Sequence, residues 1–106
     1  GNKGRLMIIY VDIDETICIN HRDRDYRKAT PIKERISKIN GLYDAGNTII
    51  YWTARGTTTG IDWEVTTRSQ LEDWGAKHDR LKMGKPLYDL FIDDRNINSE
   101  DFFKDT

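Results

Sequence analysis

A single cysteine, Cys18, stands in the 106-residue chain, which excludes an internal disulfide and a cysteine-built zinc site. The two histidines, His21 and His78, lack metal-type spacing and read as surface residues. No apolar run approaches the ~20 residues of a membrane-spanning helix. No signal-peptide pattern opens the chain either, so the expected location is the cytoplasm. With 17 Lys and Arg against 18 Asp and Glu, the chain has no basic field for nucleic acid. The length fits one domain over residues 1–106, with no room for a second module. Hydrophobic residues at 37% and charged residues at 33% suit a globular domain with a charged surface rather than a disordered chain. The opening Gly1-Asn2-Lys3-Gly4 has no initiator Met and is given no weight.

What is present is an alternation of short apolar runs and helical patterns. Leu6 to Val11 is rich in Ile and Val and too short for a helix, so it reads as a buried parallel strand ending in acid. Thr30-Pro31 reads as an N-cap and first turn. Ile32, Ile36, Ile39 and Tyr43 then recur at helical spacing until Gly46. Asn47 to Trp52 reads as a second strand, and Ile61 to Trp74 as a second helix closed by Gly75. Leu81 to Met83 reads as a weak strand and Leu87 to Ile92 as a final one. The pattern predicts an α/β fold, a parallel sheet of about four strands with two or three flanking helices. Ligands bind such sheets outside the carboxyl ends of the strands.

Those strand ends carry the chemistry. The first closes in Val11-Asp12-Ile13-Asp14-Glu15-Thr16. With 13 Asp among 106 residues, about 1.6 Asp-x-Asp pairs arise by chance, and Asp23-Arg24-Asp25 is such a decoy. Position at a strand end separates the two. The second strand runs into Thr53-Ala54-Arg55, a hydroxyl and a cation, and the last into Asp93-Asp94-Arg95. Gly84-Lys85-Pro86 places a lysine in a turn just before it, with Lys82 as a rival. Carboxylates, a hydroxyl and an ammonium are therefore expected to converge on one small volume.

This ordered set, Asp12-x-Asp14-x-Thr16, Thr53, Lys85 and Asp93-Asp94, resembles the haloacid dehalogenase superfamily from Leu6 to about Asn98. Within it, Asp14-Glu15-Thr16-Ile17-Cys18, Asp25-Tyr26-Arg27, Lys85-Pro86 and Asp93-Asp94 are similar to the small capless phosphatases associated with capsular polysaccharide biosynthesis. The resemblance implies a small Rossmann-like core without a cap domain. It implies hydrolysis of a phosphomonoester through an aspartyl-phosphate, with Mg²⁺ as cofactor. Asp12 would be the nucleophile and a metal ligand, and the Asp14 backbone carbonyl a second ligand. Asp94 would be the third ligand, with Asp93 next in line. The Asp14 side chain would serve as acid and base, Thr53 would bind a phosphoryl oxygen, and Lys85 would neutralise charge. Physical chemistry agrees, because a carboxylate attacking a phosphate dianion needs a cation to offset like-charge repulsion, and Mg²⁺ offers it through few protein oxygens. Asn98 sits where relatives often carry a further acid.

With no room for a cap between Thr16 and Thr53, recognition would fall to Arg55, to Arg24, Tyr26 and Arg27 in the 20–30 flap, to the 55–62 loop, or to a second copy of the chain. The expected partner is a small phosphorylated metabolite, a phosphosugar of surface-polysaccharide metabolism; nucleotides and nucleic-acid ends are the alternative substrates. A different class stays open, a non-catalytic phosphate- or metal-binding module on the same fold. Each residue also has a plainer reading. Asp12 and Asp14 could only end a strand, Thr53 could serve a turn, Asp93-Asp94 could cap a helix, and the 22–28 cations could be solvated. Trp52 and Trp74 read as core, and Trp63 as core or pocket wall.

Overall fold

A computed structural model describes residues 5–106; the opening Gly1-Asn2-Lys3-Gly4 lies outside them. Strand β1 (Ile8–Asp12) is followed by β2 (Cys18–Ile19) and β3 (Thr30–Pro31), then α1 (Lys33–Asp44), β4 (Thr48–Trp52), α2 (Glu64–Asp73), β5 (Arg80–Lys82) and α3 (Ser99–Phe102). The main sheet is parallel, in the order β1-β4-β5, with Asp12 beside Trp52 and Trp52 beside Lys82. The α/β class read from the alternating runs is what the chain adopts.

The sheet packs its helices against one face. Strand side chains alternate, so Ile9 and Val11 share a face with Ile49 and Tyr51. That face meets Ile36 and Ile39 from α1, Leu71 from α2 and Phe103 beyond α3 in one core. On the other face Ile8 and Tyr10 are exposed, and Tyr10 meets Trp52 edge-on at 5.6 Å. Arg35 and Lys38 of α1 lie over the rings of Phe103 and Phe102 and help hold the C-terminal helix down.

Three expectations need correction. Thr30-Pro31 does not start the helix: the residue before proline is driven to extended backbone, and Thr30-Pro31 instead pairs antiparallel with Cys18-Ile19. The Ile32 amide donates to the Ile17 carbonyl at 2.8 Å, and α1 begins at Lys33. Helix α2 begins at Glu64 rather than near Ile61, after the Asp62 side chain accepts from the Glu64 amide. Leu87 to Ile92 forms no strand. Leu87, Leu90 and Ile92 are exposed there, and the main sheet has three strands among the described residues. Six residues without a neighbouring ladder leave their backbone groups to water, and an apolar pattern alone does not hold them extended.

Candidate active site

Asp12 ends β1, and the chain then turns sharply. The Ile17 amide donates to the Ile13 carbonyl at 2.9 Å, with Glu15 in the left-handed region at φ 60°. For a residue with a Cβ that conformation is uncommon. The turn brings the Thr16 hydroxyl back to Asp12 at the end of β1. The Asp12 carboxylate is about one-third exposed, accepting from Lys85 Nζ on Oδ1 at 3.2 Å and from the Thr16 hydroxyl on Oδ2 at 3.1 Å. Both lysines lie 5.8 Å from the centre of the Trp52 ring, but Lys82 reaches toward Tyr10 and it is Lys85 that pairs with Asp12. The Lys85 turn is fastened twice to the loop after β4: its amide donates to the Thr53 carbonyl at 3.0 Å, and its carbonyl accepts from the Thr57 hydroxyl at 2.8 Å.

Thr53 is fully buried, and its hydroxyl accepts from the Arg55 amide at 3.1 Å. That is the local turn bond expected of a threonine after a strand. Gly56 then reverses the chain at φ 81°, where a Cβ would meet the Ile61 carbonyl oxygen at 2.0 Å. Only glycine closes this loop.

Arg55 does not face an incoming substrate. Its side chain is wholly buried and forms a forked pair with Asp14, Nη2 to Oδ1 at 2.9 Å and Nε to Oδ2 at 3.1 Å. Nη1 donates to the Thr67 hydroxyl and to Gln70 Oε1, and the guanidinium lies 4.7 Å from the centre of the Tyr26 ring. Asn20 Nδ2 also reaches Asp14 Oδ1, at 3.1 Å, while Asn20 Oδ1 is buried without a partner. Cys18 packs beneath; burial, with the Asp14 carboxylate beside it, pushes its thiol up to about 12, so it stays a thiol. Sequence reasoning missed Thr67, Gln70 and Asn20. Thr67 and Gln70 lie three apart on α2, and only folding brings that face to Arg55.

The flap residues divide. Tyr26 sits edge-on to Trp63 at 5.1 Å and is already covered by Arg55. Arg27 is paired with Asp25 at 2.8 Å and Lys28 with Asp23, so these cations are offset within the loop, and the Lys28 ammonium holds the Asp23 carboxyl far below its usual range. Arg24 is exposed at φ 59° with no side-chain bond among the described residues. Trp63 lines a cavity of about 200 Å³ with Gly56, Thr57, Asp62, Met83 and Gly84, beside the Lys85 turn.

The structure does not bring Asp93 and Asp94 to Asp12. Both are exposed; Asp93 accepts from the Arg95 amide, and Asp94 lies 3.8 Å from Arg95. Asn98 caps α3, accepting from the Glu100 amide. Among the described residues, no three carboxylate, histidine or cysteine side chains stand together as a metal site.

No family of known proteins and no curated protein matches the chain. A crystal structure of a structural-genomics target from Vibrio cholerae is similar to it, with a TM-score of 0.80 and 25% identity over 92% of this chain and 86% of that one. The likeness is one of fold. No helix among the described residues is long and apolar enough to cross a membrane.

Proposed function

We propose that this chain is a phosphomonoester hydrolase of the haloacid dehalogenase type, with Asp12 as the nucleophile. The observation that carries the reading is the Asp12–Lys85 pair at a strand's carboxyl end, 3.2 Å apart with the carboxylate partly open to solvent. An Asp oxygen attacking phosphorus becomes an acyl phosphate as the alcohol departs, and water then attacks phosphorus and restores the Asp. Lys85 would offset charge between Asp12 and the phosphate. Asp14 would give the departing oxygen its proton and later take one from the attacking water. Thr53 supports the site through its carbonyl, which accepts from the Lys85 amide, and its buried hydroxyl, which accepts from the Arg55 amide, would keep its O–H for a phosphoryl oxygen.

The donors suit a hard cation, being carboxylate and carbonyl oxygens only. Asp12 and the Asp14 carbonyl would hold Mg²⁺ from the β1 side, with Asp94, or Asp93 after it, as the third ligand. When bound, the ion would reduce the repulsion between carboxylate and phosphate. The third ligand would require Leu87–Ile92 to lie, as a fourth strand, along the edge of β1 that pairs with no strand among the described residues. Two apolar side chains exposed among the described residues support that step: Ile8 is 71% exposed on β1, and Ile92 is 87% exposed on the segment. The proposed substrate is a small phosphorylated metabolite such as a phosphosugar, with Arg24 and the Trp63 cavity as the open recognition candidates. Turnover of a generic aryl phosphate with Mg²⁺ tests the reading. Silence across a broad phosphate panel would favour a non-catalytic module.

A further inference from the structure

We infer that Arg55 is a positioning residue whose guanidinium orients the Asp14 carboxylate and ties it, through Gln70 and Tyr26, to the 22–29 loop. The role of Asp14 in this inference rests on the proposed hydrolysis; the tie to the loop does not.

A guanidinium has five N–H donors in a fixed fork. Here Nε and Nη2 go to Asp14, Nη1 goes to Thr67 and Gln70, and Nη2 also points at Cys18 Sγ, 4.0 Å away. With the side chain wholly buried, no donor is left for a phosphate. On Asp14 the two oxygens are treated differently. Oδ1 accepts from Arg55 Nη2, Arg55 Nε and Asn20 Nδ2 and lies 3.7 Å from the Cys18 thiol, whereas Oδ2 receives only the shared Nε. The fork therefore holds Oδ1 in place and leaves Oδ2 as the oxygen free to exchange a proton with a leaving group.

The same side chain reaches the loop. Gln70 accepts from Arg55 at one end of its amide and donates to the Tyr26 carbonyl at the other, at 2.6 Å. The Tyr26 ring lies between Arg55 and Trp63. Lysine cannot replace this arrangement, having a point charge in place of a planar fork.

Proton donation matters most when the departing oxygen is a poor leaving group. Arg55→Lys should therefore lower kcat on an alkyl phosphate about 10- to 100-fold, while kcat on an aryl phosphate with a good leaving group falls less than about 3-fold, with KM little changed on either. Gln70→Ala, which leaves the buried pair in place, should show the same split more weakly. Equal losses on both substrates would reduce Arg55 to a fold-supporting residue and overturn the positioning role. Hydrogen exchange of residues 22–29 should be faster in Arg55→Lys and in Gln70→Ala than in the unaltered protein, and unchanged protection would overturn the tie to the loop. If the unaltered protein hydrolyses neither phosphate, the proposed hydrolysis fails and the positioning role with it, while hydrogen exchange still decides the tie.

Discussion

The carboxyl ends of β1 and β4 and the segment from Leu87 to Ile97 differ sharply in how they are held. Around Asp12 and Asp14 the bonds come from Thr16 and Asn20 close by and from Lys85 and Arg55 far away in sequence, and Arg55 is held in turn by α2. Around Leu87–Ile97 the contacts are local: Tyr88 against Phe91 at 5.3 Å, and Asp93 to the Arg95 amide. Leu87, Leu90, Ile92 and Ile97 face solvent. The first region is ordered by its own tertiary pairs. The second has an apolar pattern and an acidic pair whose recorded contacts are local. The first region therefore holds Asp12 beside Lys85 as the chain stands, whereas the proposed metal site built on Asp94 would need the second region to move onto the β1 edge.

The largest effect should fall on the first region. Asp12→Asn keeps the volume and the fold but removes the attacking charge, so turnover should drop by several orders of magnitude. A variant with unchanged circular dichroism that kept more than about a tenth of the activity would break the assignment.

Stability should divide the two regions next. Leu71 is fully buried against the sheet, and Leu71→Ala should cost about 2–5 kcal/mol. Leu90 is 74% exposed, and Leu90→Ala should stay within about 0.5 kcal/mol. Urea titrations of the two variants measure both. A large loss for Leu90→Ala without added metal would mean that the segment is already docked in solution.

Magnesium offers a way to join the regions. If Leu87–Ile92 pairs with β1 when the ion binds, Mg²⁺ at about 100 times its dissociation constant should stabilise the protein by about 2.7 kcal/mol, as a ligand specific to the folded state does. Asp94→Asn should remove most of that gain, and Leu90→Ala should become destabilising only with Mg²⁺ present. A loss confined to Asp93→Asn would exchange the two roles. No rise in Tm with Mg²⁺ in the unaltered protein would remove the fourth strand from the proposal.

Much of this could be read from the chain. Ile8–Asp12 and Thr48–Trp52 are β-rich runs flanked by turns, and Ile36 and Ile39 keep helical spacing, so these elements form where the pattern puts them; the first strand, read as buried, is covered on one face only and leaves Ile8 and Tyr10 exposed. The Asp12–Lys85 pair was legible because strand ends converge in a parallel sheet. Thr30-Pro31 misled, since its capping signal competes with a ladder to Cys18-Ile19 that only folding supplies. Arg55 was legible as a cation at the right edge but not as a buried one. Its partners Thr67 and Gln70 lie on a helix whose facing side is set by Leu71 packing into the core. Leu87–Ile92 shows the opposite limit: apolar composition marks a segment fit for a strand and says nothing about whether a neighbour is there to pair with it.

A smaller effect than the magnesium gain concerns Cys18, packed under Asp14 on the ordered side. Its thiol is raised from 9.0 to about 12, chiefly by burial and then by the Asp14 charge, so the folded state keeps its proton where the unfolded chain begins to lose it. A group raised on folding contributes stability that is complete below its unfolded value and is lost as pH climbs toward the folded one. The window here runs from about pH 9 to about pH 12. Tyr51, buried without a hydroxyl partner and also raised, adds to the loss at the upper end. Between pH 9 and pH 10 the Cys18 share should be about 1 kcal/mol. Urea midpoints at the two pH values, in the unaltered protein and in Cys18→Ala, isolate it, because the alanine variant has no thiol to titrate and its pH slope should be shallower. Cys18 should likewise resist alkylation at pH 8 until urea unfolds the chain. Rapid labelling of the folded protein would mean that the Asp14–Arg55 layer above the thiol opens readily, and would bring that corner closer in character to the exposed segment after Lys85.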